Sequence, residues 1–143
     1  MSDSTEPRLP DGPPATGRPW STDDLRLIAA AGELEIAVRR ADDSLRRWLP
    51  IWVVCVGEQV YVRTWYRRDT GWFGAALRSG RARIRVPGLE APVAVADVGA
   101  GPAGLRESVD AAYRRKYGDG GSTSMVGAEA AATTLRLDPE PGV

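Results

Sequence analysis

The residues best equipped for chemistry lie close together. Between positions 46 and 73 fall Arg46, Arg47, Arg63, Arg67 and Arg68, along with Trp48, Trp52, Trp65 and Trp72. Aromatic faces stack on flat rings, and arginine forks grip phosphate or carboxylate oxygens two at a time. Such a mixture suits a flat, anionic ligand. The run Trp65-Tyr66-Arg67-Arg68 stands out, because it follows the end of an apparent strand and has no evident fold-building role.

Some chemistry is excluded at once. The chain has no histidine. That removes Ser–His and Cys–His nucleophiles, imidazole proton shuttles and histidine-rich zinc sites. Tyr61, Tyr66 and Asp69 are candidate acids or bases, and their spacing favours none of them. A bound organic cofactor is therefore the simplest carrier for any reaction. Cys55 is the lone cysteine, which rules out an internal disulfide and fits a reducing cytoplasm. No apolar run is long enough to span a bilayer, and no charged-then-apolar leader opens the chain. Net charge is zero, yet residues 36–88 hold eleven basic and four acidic side chains between two acidic flanks. That excess is either a solvated surface or an anion site in the middle third.

These residues need a scaffold. A length of 143 residues allows one domain with a real core. Residues 1–19 are rich in proline and read as a disordered tail, 20–137 as the domain, and 138–143 as a short C-terminal tail. Ser21 predicts a helix cap, with Trp20 and Leu25 as its staple and Gly32 as its end. Leu34, Ile36 and Val38 alternate with polar neighbours and predict a strand. A second strand is predicted over 45–56, a turn at Gly57-Glu58, and a return strand over 59–65. Asp69 or Thr70 starts a short helix whose buried face holds Trp72, Phe73, Ala76 and Leu77. Ala82, Ile84 and Val86 then alternate with Arg81, Arg83 and Arg85. Val93 and Val95 mark another strand. Leu105, Val109, Tyr113 and Tyr117 form one helical stripe. A mobile loop is predicted over 119–124 and a closing strand around Thr133, Leu135 and Leu137. The result is a mainly β (α+β) class, a six-stranded antiparallel split barrel with three short helices.

Register adds detail. Counting from the Gly57 turn opposes Cys55 to Val60, Val53 to Val62 and Ile51 to Thr64 on an apolar, core-facing side. Val54 then meets Tyr61, and Trp52 meets Arg63, a cation–π pair on the other side. The same parity sends Arg47 inward, unless a bulge at Pro50 rotates it out. An inward Arg47 requires an anionic partner, either a ligand phosphate or an acidic side chain from elsewhere.

From Pro50 to Val86 the chain resembles the FMN-binding split-barrel superfamily, which includes pyridoxamine-phosphate-oxidase-like and deazaflavin-dependent nitroreductase-like proteins. The resemblance rests on a proline-opened strand, a glycine turn, Val60-Tyr61-Val62-Arg63-Thr64, and a tryptophan before Ala76-Leu77-Arg78-Ser79-Gly80-Arg81. It implies FMN or a deazaflavin as cofactor, a homodimer with flavin at its interface, and hydride transfer to a small organic acceptor. It also implies a site at Arg47, Arg63, Thr64 and Arg67, with Trp65 and Trp72 near the ring and no metal. Bulky side chains at 65–68, where deazaflavin relatives usually have a glycine- and serine-rich loop, depart from that pattern. Two other functions stay open. One is a cofactor-free barrel that holds a natural-product intermediate. The other is a nucleic-acid binder using Arg81, Arg83 and Arg85, disfavoured by the neutral total charge.

Overall fold

Ser21 opens the first helix, α1 (Thr22–Ala30). Its hydroxyl accepts a hydrogen bond from the Asp24 amide at 3.0 Å, and Asp23 and Asp24 sit in the first turn, where the helix dipole favours negative charge. The structure, a computed structural model, describes residues 20–64, 71–99, 103–118 and 123–140. Its strands are β1 (Leu34–Val38), β2 (Leu49–Ile51), β3 (Val54–Val56), β4 (Gln59–Val62), β5 (Arg81–Val86), β6 (Leu89–Asp97) and β7 (Leu135–Pro139). Two further helices are α2 (Gly71–Ser79) and α3 (Ala103–Tyr117), followed by the four-residue α4 (Thr123–Val126) and α5 (Ala128–Ala131). The N-terminal tail lies outside the described residues. So does 119–122 of the expected mobile loop, and α4 begins at Thr123.

All seven strands join one antiparallel sheet in the order β2-β1-β5-β6-β7-β4-β3. The edge strands β2 and β3 are consecutive in the chain, with Trp52 and Val53 between them. One bent length of chain, 49–56, thus supplies both edges, and the sheet curls into a half-barrel. Each edge strand is three residues long, too short to template pairing with another chain.

The antiparallel α+β barrel expected from sequence is present. The expected strand over 45–56, however, is divided. Leu45 makes only an isolated bridge to Arg39, the ladder starts at Leu49, and it breaks at Trp52 and Val53. The break exists because the chain leaves β1 as neighbour and takes up β4. Pro50 sits inside β2 opposite Glu35 and does not mark it. α3 clamps this corner. The Tyr117 hydroxyl donates to the Gly32 carbonyl at 2.7 Å and accepts from the Val53 amide at 3.1 Å, while Lys116 Nζ donates to the Val53 carbonyl at 2.9 Å. Trp52 stacks on Tyr117 with ring centroids 4.0 Å apart.

The register is correct near the turn and wrong beyond the break. Val54 pairs with Tyr61 and Cys55 with Val60, joined by a turn whose Gly57 has φ +61°. Ile51 instead pairs with Leu34, so the Ile51–Thr64 and Trp52–Arg63 pairs do not form.

Two cores result. Leu34, Ile36, Val53, Val60, Val62 and Ile84 fill the barrel, closed by Trp20 and Ile28 of the α1 region and by Phe73 and Ala76 of α2. Trp20 anchors its end through an indole hydrogen bond to the Leu137 carbonyl at 2.9 Å. Cys55 is partly buried against this core. The second core lies outside the barrel, where Val54 and Tyr61 pack beneath Val109, Ala112 and Tyr113 of α3. The apolar outer face of the hairpin is thus covered within the chain. On α2, Phe73, Gly74, Ala75 and Ala76 are buried and Leu77 is 41% exposed, which corrects its expected inward face. At 3.6 residues per turn, Leu77 lies about 100° past Ala76, on the solvent side. Among the described residues, no helix is long and apolar enough to cross a membrane.

Candidate functional site

The site is built where β1 runs out. After Val38 the chain loops back on itself, with the Arg40 amide donating to Ser44 O at 2.7 Å and the Asp43 amide to Arg40 O at 2.9 Å. It returns when the Arg46 amide bonds Val38 O at 2.8 Å. Arg46 and Arg47 follow that bond but precede β2, so strict strand alternation does not bind them. Both line one groove. α2 forms its other wall through Trp72 and Arg78.

The groove encloses about 340 Å³ over Ile36, Val38 and Leu49, with Arg46, Arg47, Arg78 and Trp72 around it. Arg46, Arg47 and Arg78 are exposed and, among the described residues, have no side-chain hydrogen bond or ion pair. Trp72 is half-buried and meets Phe73 edge-on, centroids 5.8 Å apart, so its position is fixed by the core behind it. An apolar floor, one held indole and three unsatisfied guanidiniums can take a flat ring bearing an anionic group.

The arginines of β5 differ. Arg81 pairs with Asp43 at 2.9 Å, Arg83 with Glu90 at 2.7 Å and Arg85 with Glu35 at 2.7 Å. Arg85 also stacks over Trp48, 4.1 Å from the ring centroid. Each of these three thus has a carboxylate partner, which sets them apart from the arginines of the groove.

Of the residues singled out from sequence, Arg47 and Trp72 meet in the groove, and Arg47 is exposed rather than buried. Arg63 and Thr64 do not join them. Arg63 is fully buried beneath α3, where Nη1 donates to Asp110 Oδ1 at 2.6 Å and to Met125 O at 2.8 Å, and Nε donates to Thr134 Oγ1 at 2.8 Å. Its plane lies over Tyr113, 5.6 Å from the centroid, and not over Trp52. Thr64 is buried as well, and its amide donates to Thr133 Oγ1 at 3.0 Å. Tyr61 is buried in the second core, and that burial raises its pKa. Trp65, Tyr66, Arg67 and Asp69 lie outside the described residues.

Sequence reasoning counted Arg46 among the clustered arginines but left it out of the expected site, and it missed Arg78 altogether. Arg46 adjoins Arg47, and alternation assigned the two to opposite faces. Arg78 sits in the last turn of α2, a position that reads as a favourable charge near the helix's carbonyl end. Among the described residues, no group of three or more Cys, Asp or Glu side chains could hold a metal ion.

A family model described as uncharacterized protein conserved in bacteria (DUF2255) matches residues 24–137. The chain belongs to that family. No curated protein matches it. Among solved structures it is similar to the conserved hypothetical protein Rv2991 from Mycobacterium tuberculosis, at a TM-score of 0.52 and 11% identity, over 89% of this chain and 83% of that one. Identity this low supports the fold alone.

Proposed function

We propose that this DUF2255 member binds a flat, anionic cofactor of the flavin or deazaflavin type in the groove beside Trp72, and that it is an oxidoreductase acting on a small organic acceptor. One observation carries the reading. Arg46, Arg47 and Arg78 converge on an apolar-floored groove without partners among the described residues, while Arg81, Arg83 and Arg85 on the adjoining strand each have a carboxylate. A cluster of like charges is costly to hold together unless an anion relieves it. The groove's volume falls within the range of small-molecule sites, roughly 300–1,000 Å³. The choice of ring rests on the resemblance to flavin-binding split barrels.

When bound, such a ring supplies hydride transfer. The chain supplies placement. Its arginine forks hold the anionic group, the Trp72 indole offers a face for stacking, and Ile36, Val38 and Leu49 keep water from the floor. No acid or base is assigned. A homodimer and a cytoplasmic location belong to this proposal through the resemblance and the lone cysteine.

The test is to titrate FMN and the deazaflavin into wild type, Arg47→Ala and Arg47→Lys at near-physiological salt, following the ring's absorbance. A charge-assisted contact is worth roughly 1.5–3 kcal/mol, so Arg47→Ala should weaken binding about ten- to a hundredfold. Lysine should restore part of it, because it keeps the charge but not the fork. Failure of wild type to bind either ring defeats the reading. Equal binding by all three proteins defeats the assigned site.

A further inference from the structure

The groove continues past Arg46 and Arg78. These two side chains also line a second chamber of about 510 Å³, whose other walls include Arg39, Arg40, Ser79 and Arg81. Five guanidiniums therefore border one space. The nearby carboxylates do not match them. Asp43 is shared between Arg81 at 2.9 Å and Arg39 at 3.7 Å, and Glu140 reaches Arg81 at 3.5 Å. Asp42, on the same loop, is turned to the Ser44 amide and hydroxyl. Arg40 spends Nη1 on Ser44 Oγ and the Leu45 carbonyl.

A second, separate sign is the Arg39 side chain, which is 16% exposed and whose buried Nε has no hydrogen-bond partner. Arg39 lines the chamber as well, and its ion pair with Asp43 is long at 3.7 Å, so its charge adds to the positive wall. Asp43 holds φ +76°, a conformation that asparagine and aspartate tolerate better than most residues other than glycine, and its carboxylate lies against two of the five arginines.

We infer that this second chamber is an oligoanion site of the pyrophosphate class, partly masked by Asp43. That its occupant is the tail of the ligand in the first groove rests on the proposed function above. On that reading the natural ligand carries at least two separated anionic groups, and FMN with one phosphate fills only part of the site.

Calorimetric titration of inorganic pyrophosphate and inorganic phosphate into the full chain tests this. Pyrophosphate should bind at least about tenfold tighter than phosphate, since it engages more guanidiniums. Asp43→Asn keeps the backbone conformation and frees Arg81 and Arg39, so pyrophosphate should bind about three- to tenfold tighter, the size of an exposed charge contact. A gain of affinity cannot come from a damaged fold. Arg40→Gln should weaken pyrophosphate binding and leave an FMN titration almost unchanged, whereas Arg47→Ala should do the reverse. Pyrophosphate binding no tighter than phosphate, or unmoved by Asp43→Asn, overturns the inference whatever FMN does. Pyrophosphate binding that follows these variants while FMN fails to bind supports the chamber and defeats the ring.

Discussion

Arg63 and Arg47 carry the same side chain to opposite ends. Arg63 lies in the second core with a carboxylate, a hydroxyl and a carbonyl around it, so its role is to join β4 to α3. Removing one member of a buried ion pair leaves the other uncompensated, and Arg63→Ala should cost about 3–5 kcal/mol in urea denaturation. The double change Arg63→Met with Asp110→Leu should recover most of that, because an apolar pair asks for no compensation. A stable Arg63→Ala protein would show that the pair does not hold α3 in place. Arg47, by contrast, is expected to alter ligand binding and leave stability almost unchanged. Burial also sets the response to alkali. It raises the pKa of Cys55, Tyr61, Tyr113 and Tyr117 above their ordinary values. For groups whose neutral form the fold prefers, that stabilisation is complete below the unfolded values of 9.0 and 10.0 and is lost as pH rises through the folded ones. Lys116, lowered mainly by burial, acts in the opposite direction as it loses its proton, but it is one group against four. Thermal melts should therefore fall above about pH 9. A melting temperature constant to pH 11 (about the end of the tyrosine range) would contradict this balance.

The elements show which information was local. Alternation in Leu34–Val38 and Arg81–Val86, the stripe from Leu105 to Tyr117 and the Ser21 cap each depend on neighbours within a few residues, and each was readable. The division of 45–56 was not. Both halves are apolar and alternate, and the break is fixed by two distant partners, β1 for Leu49–Ile51 and β4 for Val54–Val56. The pairing of Arg63 with Asp110 spans 47 residues of sequence, and nothing near Arg63 announces it. The same applies to the groove, where only two of its four polar or aromatic walls, Arg47 and Trp72, were placed in the expected site. The hairpin turn offers a clean local test. A Cβ on Gly57 would meet no atom within 4 Å, so Gly57→Ala adds backbone strain alone at φ +61°. It should cost about 1–2 kcal/mol, and Gly57→Asn should cost less. Equal stability of the glycine, alanine and asparagine proteins would mean that the turn adjusts its backbone.

At the scale of the whole molecule, the barrel and α3 between them bury the large apolar side chains. Among the described residues, the exposed large hydrophobics are Leu27 and Leu77. The apolar surface of the described residues is therefore small, and the proposed dimer would draw on the ligand site itself. Sedimentation at tens of micromolar (about the range that separates stable from weak interfaces) should show a shift from monomer toward dimer when ligand is added. A monomer with and without ligand would remove the two-chain site from the proposal. What the molecule does display is charge, with acidic ends and a basic middle third whose arginines gather at one groove. The direct test is the affinity of FMN for wild type and for the triple variant Arg46→Ala, Arg47→Ala, Arg78→Ala, measured by fluorescence at about 0.15 M salt, where loosely held surface charges are screened. All three side chains are exposed and unpaired among the described residues, so the variant should keep the wild-type melting temperature and lose FMN binding by at least about a hundredfold. Wild type that binds no FMN, or a folded triple variant that binds it equally well, would contradict the account.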